Sequence, residues 1–127
     1  MQQITNAYIV NTNNENIYKK WLEILYPKHH LTDKEIQIAS LFIKSYVDKK
    51  NDITNNTLLN NYVLSIENKR AIRKAVKLTP TYFQIIMKGL KIKKFIINDK
   101  ININYIPSFN DEGNIVVAYI IKNEQSK

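Results

Sequence analysis

The sequence predicts an α+β fold: about four to five helices followed by a small three-stranded antiparallel sheet. Three observations carry this. Apolar residues recur at helical spacing through much of the stretch from Ile17 to Leu90. Thr79-Pro80 divides the most basic stretch into two helices with almost no linker, because threonine caps helix N-termini and proline is best tolerated at the first helical position. From Lys94 onward the apolar period falls to two. Two helices joined so tightly and followed by a hairpin have the order of a winged helix-turn-helix.

Taken in order, residues 1–14 read as an N-terminal arm, with Tyr8-Ile9-Val10 as a short strand in Asn-rich surroundings that disfavour regular structure. Residues 15–122 read as a single domain and 123–127 as a flexible tail. The first helix spans 15–26, with Ile17, Trp21, Leu22 and Leu25 on one face, and Pro27 ends it. Trp21 is a packing anchor in this reading. The next helix, Leu31 to Val47, carries a capping box at Thr32 and Glu35 and a staple of Leu31 on Ile36. Its apolar face includes Ile36, Ile38, Ala39, Phe42, Ile43, Tyr46 and Val47, wide enough for neighbours on two sides. The polar stretch 48–61 leaves room for a short helix from about Thr57 to Leu64.

Ser65 caps the basic helix, in which Ile72, Ala75 and Val76 face inward and Lys69, Arg70, Arg73, Lys74 and Lys77 lie outside the core. Like charges three and four apart weaken a helix, so this unbalanced face points to an acidic partner. In the helix after Pro80, Phe83, Ile86, Met87 and Leu90 form the core stripe, while Thr81, Gln84, Ile85 and Lys88 point outward. That outer face suits either a DNA major groove or a protein neighbour, and Ile85 favours protein. Gly89 permits close helix approach. Strands follow over Phe95–Ile97 and Ile101–Tyr105, turning at Asn98-Asp99, with Lys100 beside the turn. Pro107 ends the hairpin, residues 110–113 turn again, and Ile115–Ile121 supply the third strand.

The chain has 127 residues, a formal net charge of +8 and two glycines. The length suits one domain with a real core. The charge favours acidic partners, although a basic surface is also compatible with solvation alone. With few glycines, asparagine is expected at positions needing left-handed backbone. The absence of cysteine rules out disulfides and thiol chemistry. The N-terminus lacks the pattern of a secretory signal. His29 and His30 are adjacent and read as surface histidines, with no third ligand type nearby. Carboxylates are scattered, and there is no phosphate-binding glycine loop or nucleophile elbow. No enzyme activity, cofactor, metal, membrane partner or small-molecule substrate is expected.

LTDKEIQIASLFI and NKRAIRKAVKLTPTYFQIIMKGLKIKKFIINDKININYIP together resemble small winged-helix proteins of tailed bacteriophages, the crAss-like group in particular. Leu31, Thr32, Lys34 and Glu35 carry the first part, and Leu78-Thr79, Leu90, Lys93, Ile96, Ile106 and Pro107 the second. Lys94 departs from the pattern, which has glycine after the helix. The resemblance implies a structural component of the virion, a ring or connector at the head-to-tail junction. Its partners would be other virion proteins and copies of itself, with double-stranded DNA as a further contact. It implies location in the particle, and in the host cytoplasm during assembly. It equally allows a DNA-binding regulator or replication accessory protein.

Overall fold

The structure, a computed structural model, describes residues 2–10, 17–107 and 115–122. It is α+β and mostly helical, with six α-helices among the described residues. The chain divides into two compact units: Met1–Ile17 with Pro107–Lys127, and Tyr18–Ile106.

In the first unit, strand β1 (Gln2–Val10) pairs antiparallel with strand β4 (Ile115–Lys122), from Gln2 opposite Lys122 to Val10 opposite Ile115. The register shifts between Ile4 and Asn6, placing an extra residue, Thr5, on β1. The three-stranded sheet expected from the sequence does not form among the described residues: the strand over Ile115–Lys122 pairs with the segment read as an arm, and the hairpin is a separate two-stranded sheet. IVVAYIIK is almost wholly β-branched and aromatic and will pair with any compatible edge; the sequence does not reveal an edge more than a hundred residues away. The 110–113 turn and the 123–127 tail lie outside the described residues.

The second unit is built on α3 (Asp33–Lys49), which packs against α4 (Asn56–Val63), α5 (Ile66–Ala75) and α6 (Pro80–Ile92). The capping box forms as the sequence predicts: Thr32 Oγ1 accepts from Glu35 N–H and Glu35 Oε1 from Thr32 N–H. Ile38, Ala39, Phe42 and Ile43 are fully buried, as are Leu22, Val63, Leu90 and Phe95. The first helix, α1 (Ile17–Ile24), buries Trp21 and Leu22, and Trp21 Nε1 donates to Tyr105 O at 2.8 Å. Pro27 does not simply stop this helix. It lies in the first turn of a short helix, α2 (Tyr26–His29), a place where a missing amide is harmless. His30, in the left-handed conformation at φ 54°, ends α2.

The hairpin is shorter than the alternation predicts. Strands β2 (Ile96–Ile97) and β3 (Lys100–Ile101) flank Asn98 and Asp99, both at positive φ as a tight two-residue turn requires. Residues Ile103–Tyr105 then form a 3-10 turn instead of continuing the strand. The cause is Asn102. Its backbone N–H makes one more cross-strand bond, to Phe95 O, and its Nδ2 donates to Lys94 O, but its Oδ1 accepts from Asn104 N–H and so starts a local turn that ends the ladder. Ile103 is consequently exposed.

Candidate nucleic-acid or protein interface

The ends of α5 are held more firmly than its middle. Ser65 Oγ accepts from Asn68 N–H at 3.1 Å, and Asn68 Nδ2 reaches Val63 O on α4 and Ser45 Oγ on α3. At the other end Leu78 N–H donates to Arg73 O and Lys77 N–H to Lys74 O, which is the Schellman pattern. Lys77, at φ 59°, occupies the position usually given to glycine. Arg73 Nη1 donates to Leu78 O at 3.0 Å and braces the same turn. Thr79 Oγ1 then accepts from Tyr82 N–H and starts α6, with Pro80 at its first position. The junction is as tight as the Thr-Pro pair predicts.

Only Ile72 of the expected inner face of α5 is buried; Val76 is half-buried and Ala75 exposed. The helix ends at Ala75, so the last turn of the stripe never forms against the core. On α6 the expected division holds: Phe83, Ile86, Met87 and Leu90 are buried and Thr81, Gln84, Ile85 and Lys88 exposed. Between the two helices runs a groove lined by Lys69, Arg70, Arg73, Gln84 and Phe83, with Ile66 and Pro80 at its edges. It unites four of the ten residues singled out in the sequence. Lys74, Lys77, Thr81, Ile85, Lys88 and Lys100 are exposed but do not line it.

The outward side of α6 is itself divided. Gln84, Lys88 and Lys91 fall on one flank. Tyr82, Ile85 and Ile92 fall on the other, 43%, 61% and 68% exposed. The charge of the chain is equally uneven. From Asn68 to Asn98 there are nine lysines or arginines and no aspartate or glutamate; the remaining ten basic residues face eleven acidic ones. The whole excess positive charge therefore lies on α5, α6 and their flanks. Lys91 and Lys94 belong to this set although the helix pattern alone does not single them out, and the acid-free window is the signal that finds them.

One of the nine is paired internally. Lys93 Nζ lies 2.6 Å from Glu35 Oε1, the carboxylate that also closes the α3 capping box. Burial pushes the Glu35 carboxyl up, but hydrogen bonds from Lys93 and Thr32 outweigh that and hold it below its usual range. Gly89 lies against this carboxylate, where a Cβ would collide with Glu35 Oε2; here the glycine does allow close approach, of a side chain from α3 to the α6 backbone. Elsewhere, Asn60, 2% exposed, accepts from Ile101 N–H at 2.8 Å and so ties the hairpin to α4.

The histidine expectation needs correction. His30 is exposed, but His29 is buried, with Nε2 donating to Leu22 O at 2.6 Å and Nδ1 accepting from Leu31 N–H at 2.9 Å. Both ring nitrogens are thus engaged with backbone, which fixes the neutral Nε2–H form. Burial lowers its pKa, and the bond to Leu22 only partly opposes this. Among the described residues, no three His, Cys, Asp or Glu side chains converge on a possible metal site, and no helix is long and apolar enough to cross a membrane. No family model, curated protein or solved structure matches this chain.

Proposed function

We propose that this chain is a non-enzymatic structural component of a tailed-phage particle, a ring or connector protein at the head-to-tail junction that works through protein–protein contacts. The observation that carries the reading is the apolar flank of α6. Tyr82, Ile85 and Ile92 lie exposed where a helix reading a DNA groove presents polar groups. Exposed apolar residues grouped on one helix flank mark a protein-contacting surface. The sequence resemblance supplies the setting, and copies of the chain itself are among the expected neighbours. Mass spectrometry of purified particles tests the role; absence of the chain from the particle removes it. Light scattering of the pure protein reports self-association.

A second reading is favoured by the groove. In it, α5, the tight turn, α6 and the hairpin form a winged helix that binds duplex DNA as a regulator or replication accessory protein. Lys69, Arg70 and Arg73 meet phosphates beside Gln84, Thr81 and Lys88 face bases, and Lys100 sits at the wing. Binding should then weaken steeply with salt and prefer one sequence. A titration on random and genomic fragments showing neither property rules this reading out.

A further inference from the structure

The α5–α6 groove is one of three that adjoin. A second lies between α4, α5, α6 and the hairpin, bordered by Asn61, Lys69 and Lys91 over Met87 and Ile96. A third runs beside Lys91, Lys94, Ile96 and Ile97. Lys69 is common to the first and second, and Lys91, Ile96 and Asp99 to the second and third. Through these shared side chains the three adjoin as a trough on the helical unit. Lys69, Arg70, Arg73, Lys91 and Lys94 border it, and Asp99 is the one carboxylate among the described residues that line it.

The surface of the trough discriminates among polyanions. It offers aliphatic side chains, with Ile66 71% and Ile97 40% exposed. Phe83, the one aromatic among the described residues that line it, is 3% exposed and presents no ring face. Single-stranded nucleic acid binding relies on aromatic platforms for the bases, and none is available here. A simple anion would leave the aliphatic surface in water. An extended peptide projects alternate side chains to opposite sides, so one set can meet a charged rim and the other an apolar floor.

The geometry points to a docking site for an extended acidic segment of a partner protein, with carboxylates alternating with aliphatic side chains. Charge complementarity selects this occupant: the trough is cut into the one part of the chain that has excess positive charge. The inference rests on the protein-contacting role proposed above for the existence of a partner, and it adds that partner's chemistry.

The test uses the full chain and three labelled probes in fluorescence anisotropy: a short alternating Glu–Leu peptide, a Glu–Ser peptide of equal charge, and oligo-dT of similar length. The Glu–Leu peptide is expected to bind at least about tenfold more tightly than either other probe, as burial of a few leucines requires. Lys91→Glu and Ile97→Ser, both at exposed positions, should each weaken it about tenfold, with the circular dichroism spectrum unchanged. Equal binding of the two peptides, tighter binding of oligo-dT, or no binding of any probe overturns the inference. The probe ranking on the unmodified chain decides this even where a variant fails to fold. If the chain is present in particles yet fails the peptide test, only the trough assignment is lost. If it passes the peptide test but is absent from particles, only the virion role is lost.

Discussion

Helices α3 and α5 lie against each other and are specified in opposite ways. Of the 17 residues of α3, eight are buried, including Phe42 and Ile43 at 0% exposure. Of the 10 residues of α5, one is buried, Ile72. The composition of α3 is thus accounted for by the inside of the protein. That of α5 is not. Its caps hold it in place, while Lys69, Arg70, Arg73 and Lys74 repel one another at spacings of three and four, by a few tenths of a kcal/mol per pair. Among the described residues none of Lys69, Arg70 or Lys74 has an ion-pair partner. The fold alone does not account for a helix whose sequence works mildly against its own stability, and an outside partner is what the proposed function supplies. The comparison separates residues that the fold accounts for from residues that it does not.

The largest effect should come from the folding side. Phe42→Ala, at full burial, is expected to lose about 3–5 kcal/mol in denaturant unfolding. A loss below about 1 kcal/mol would mean α3 is not the centre of the core. Acid should act next, and again through the surroundings of α3. The neutral form of His29 is favoured by folding, so its contribution is complete above about pH 6.5 and declines as pH falls from there through its lowered folded pKa. The Glu35 contribution is complete above about pH 4.5 and is lost as pH falls through its own depressed value. Melting temperature should therefore fall in two stages on acidification, and His29→Asn should remove the first stage.

A smaller change, of opposite sign, is expected where α6 ends. Lys94, at φ 67°, takes the left-handed place of a Schellman cap, with Phe95 N–H donating to Leu90 O. Lys94→Gly should stabilise by about 1 kcal/mol, read from the denaturation midpoint. The smallest effect should come from α5. Arg70→Gln with Lys74→Gln should change stability by no more than about 0.5 kcal/mol, read from the denaturation midpoint, and the proposed role further expects weaker binding to an acidic partner. A large loss of stability would place these side chains in the fold and end the contrast with α3. Arg73 is kept out of that pair because its guanidinium braces the turn at Leu78.

Helices α3, α5 and α6 were legible because each carries its own start signal: Thr32 with Glu35, Ser65, and Thr79 with Pro80 all cap as their residue types predict. The outer face of α6 was legible for the same local reason. What could not be read depended on side-chain contacts to backbone groups that helical or strand periodicity does not encode. Nothing near His29 announces that Leu22 O and Leu31 N–H will take both ring nitrogens. Asn60 reads as part of a polar connection until Ile101 N–H meets it 41 residues later. The glycine that the phage pattern places after α6 is Lys94 here, yet the backbone turns as glycine would, supported by Asn102 Nδ2 on Lys94 O. Among the described residues, asparagine takes the left-handed work at Asn98 only, and the other non-glycine positions there are His30, Lys77, Lys94 and Asp99.

The pairing of β1 with β4 also sets an order of events. Its register joins Gln2 to Lys122, so the ladder closes a loop that contains the whole helical unit. Helix–helix contacts in the unit Tyr18–Ile106 span shorter stretches of chain, such as the 58 residues between Glu35 and Lys93, and can form while that loop is still open. Closing a loop becomes more costly in entropy with length, by about 0.6 kcal/mol per doubling, and that loss comes before any ladder bond compensates it. The helical unit therefore assembles early and the strand pair zips late. In refolding kinetics, protection of amides in β1 and β4 should trail that of α3 and α6.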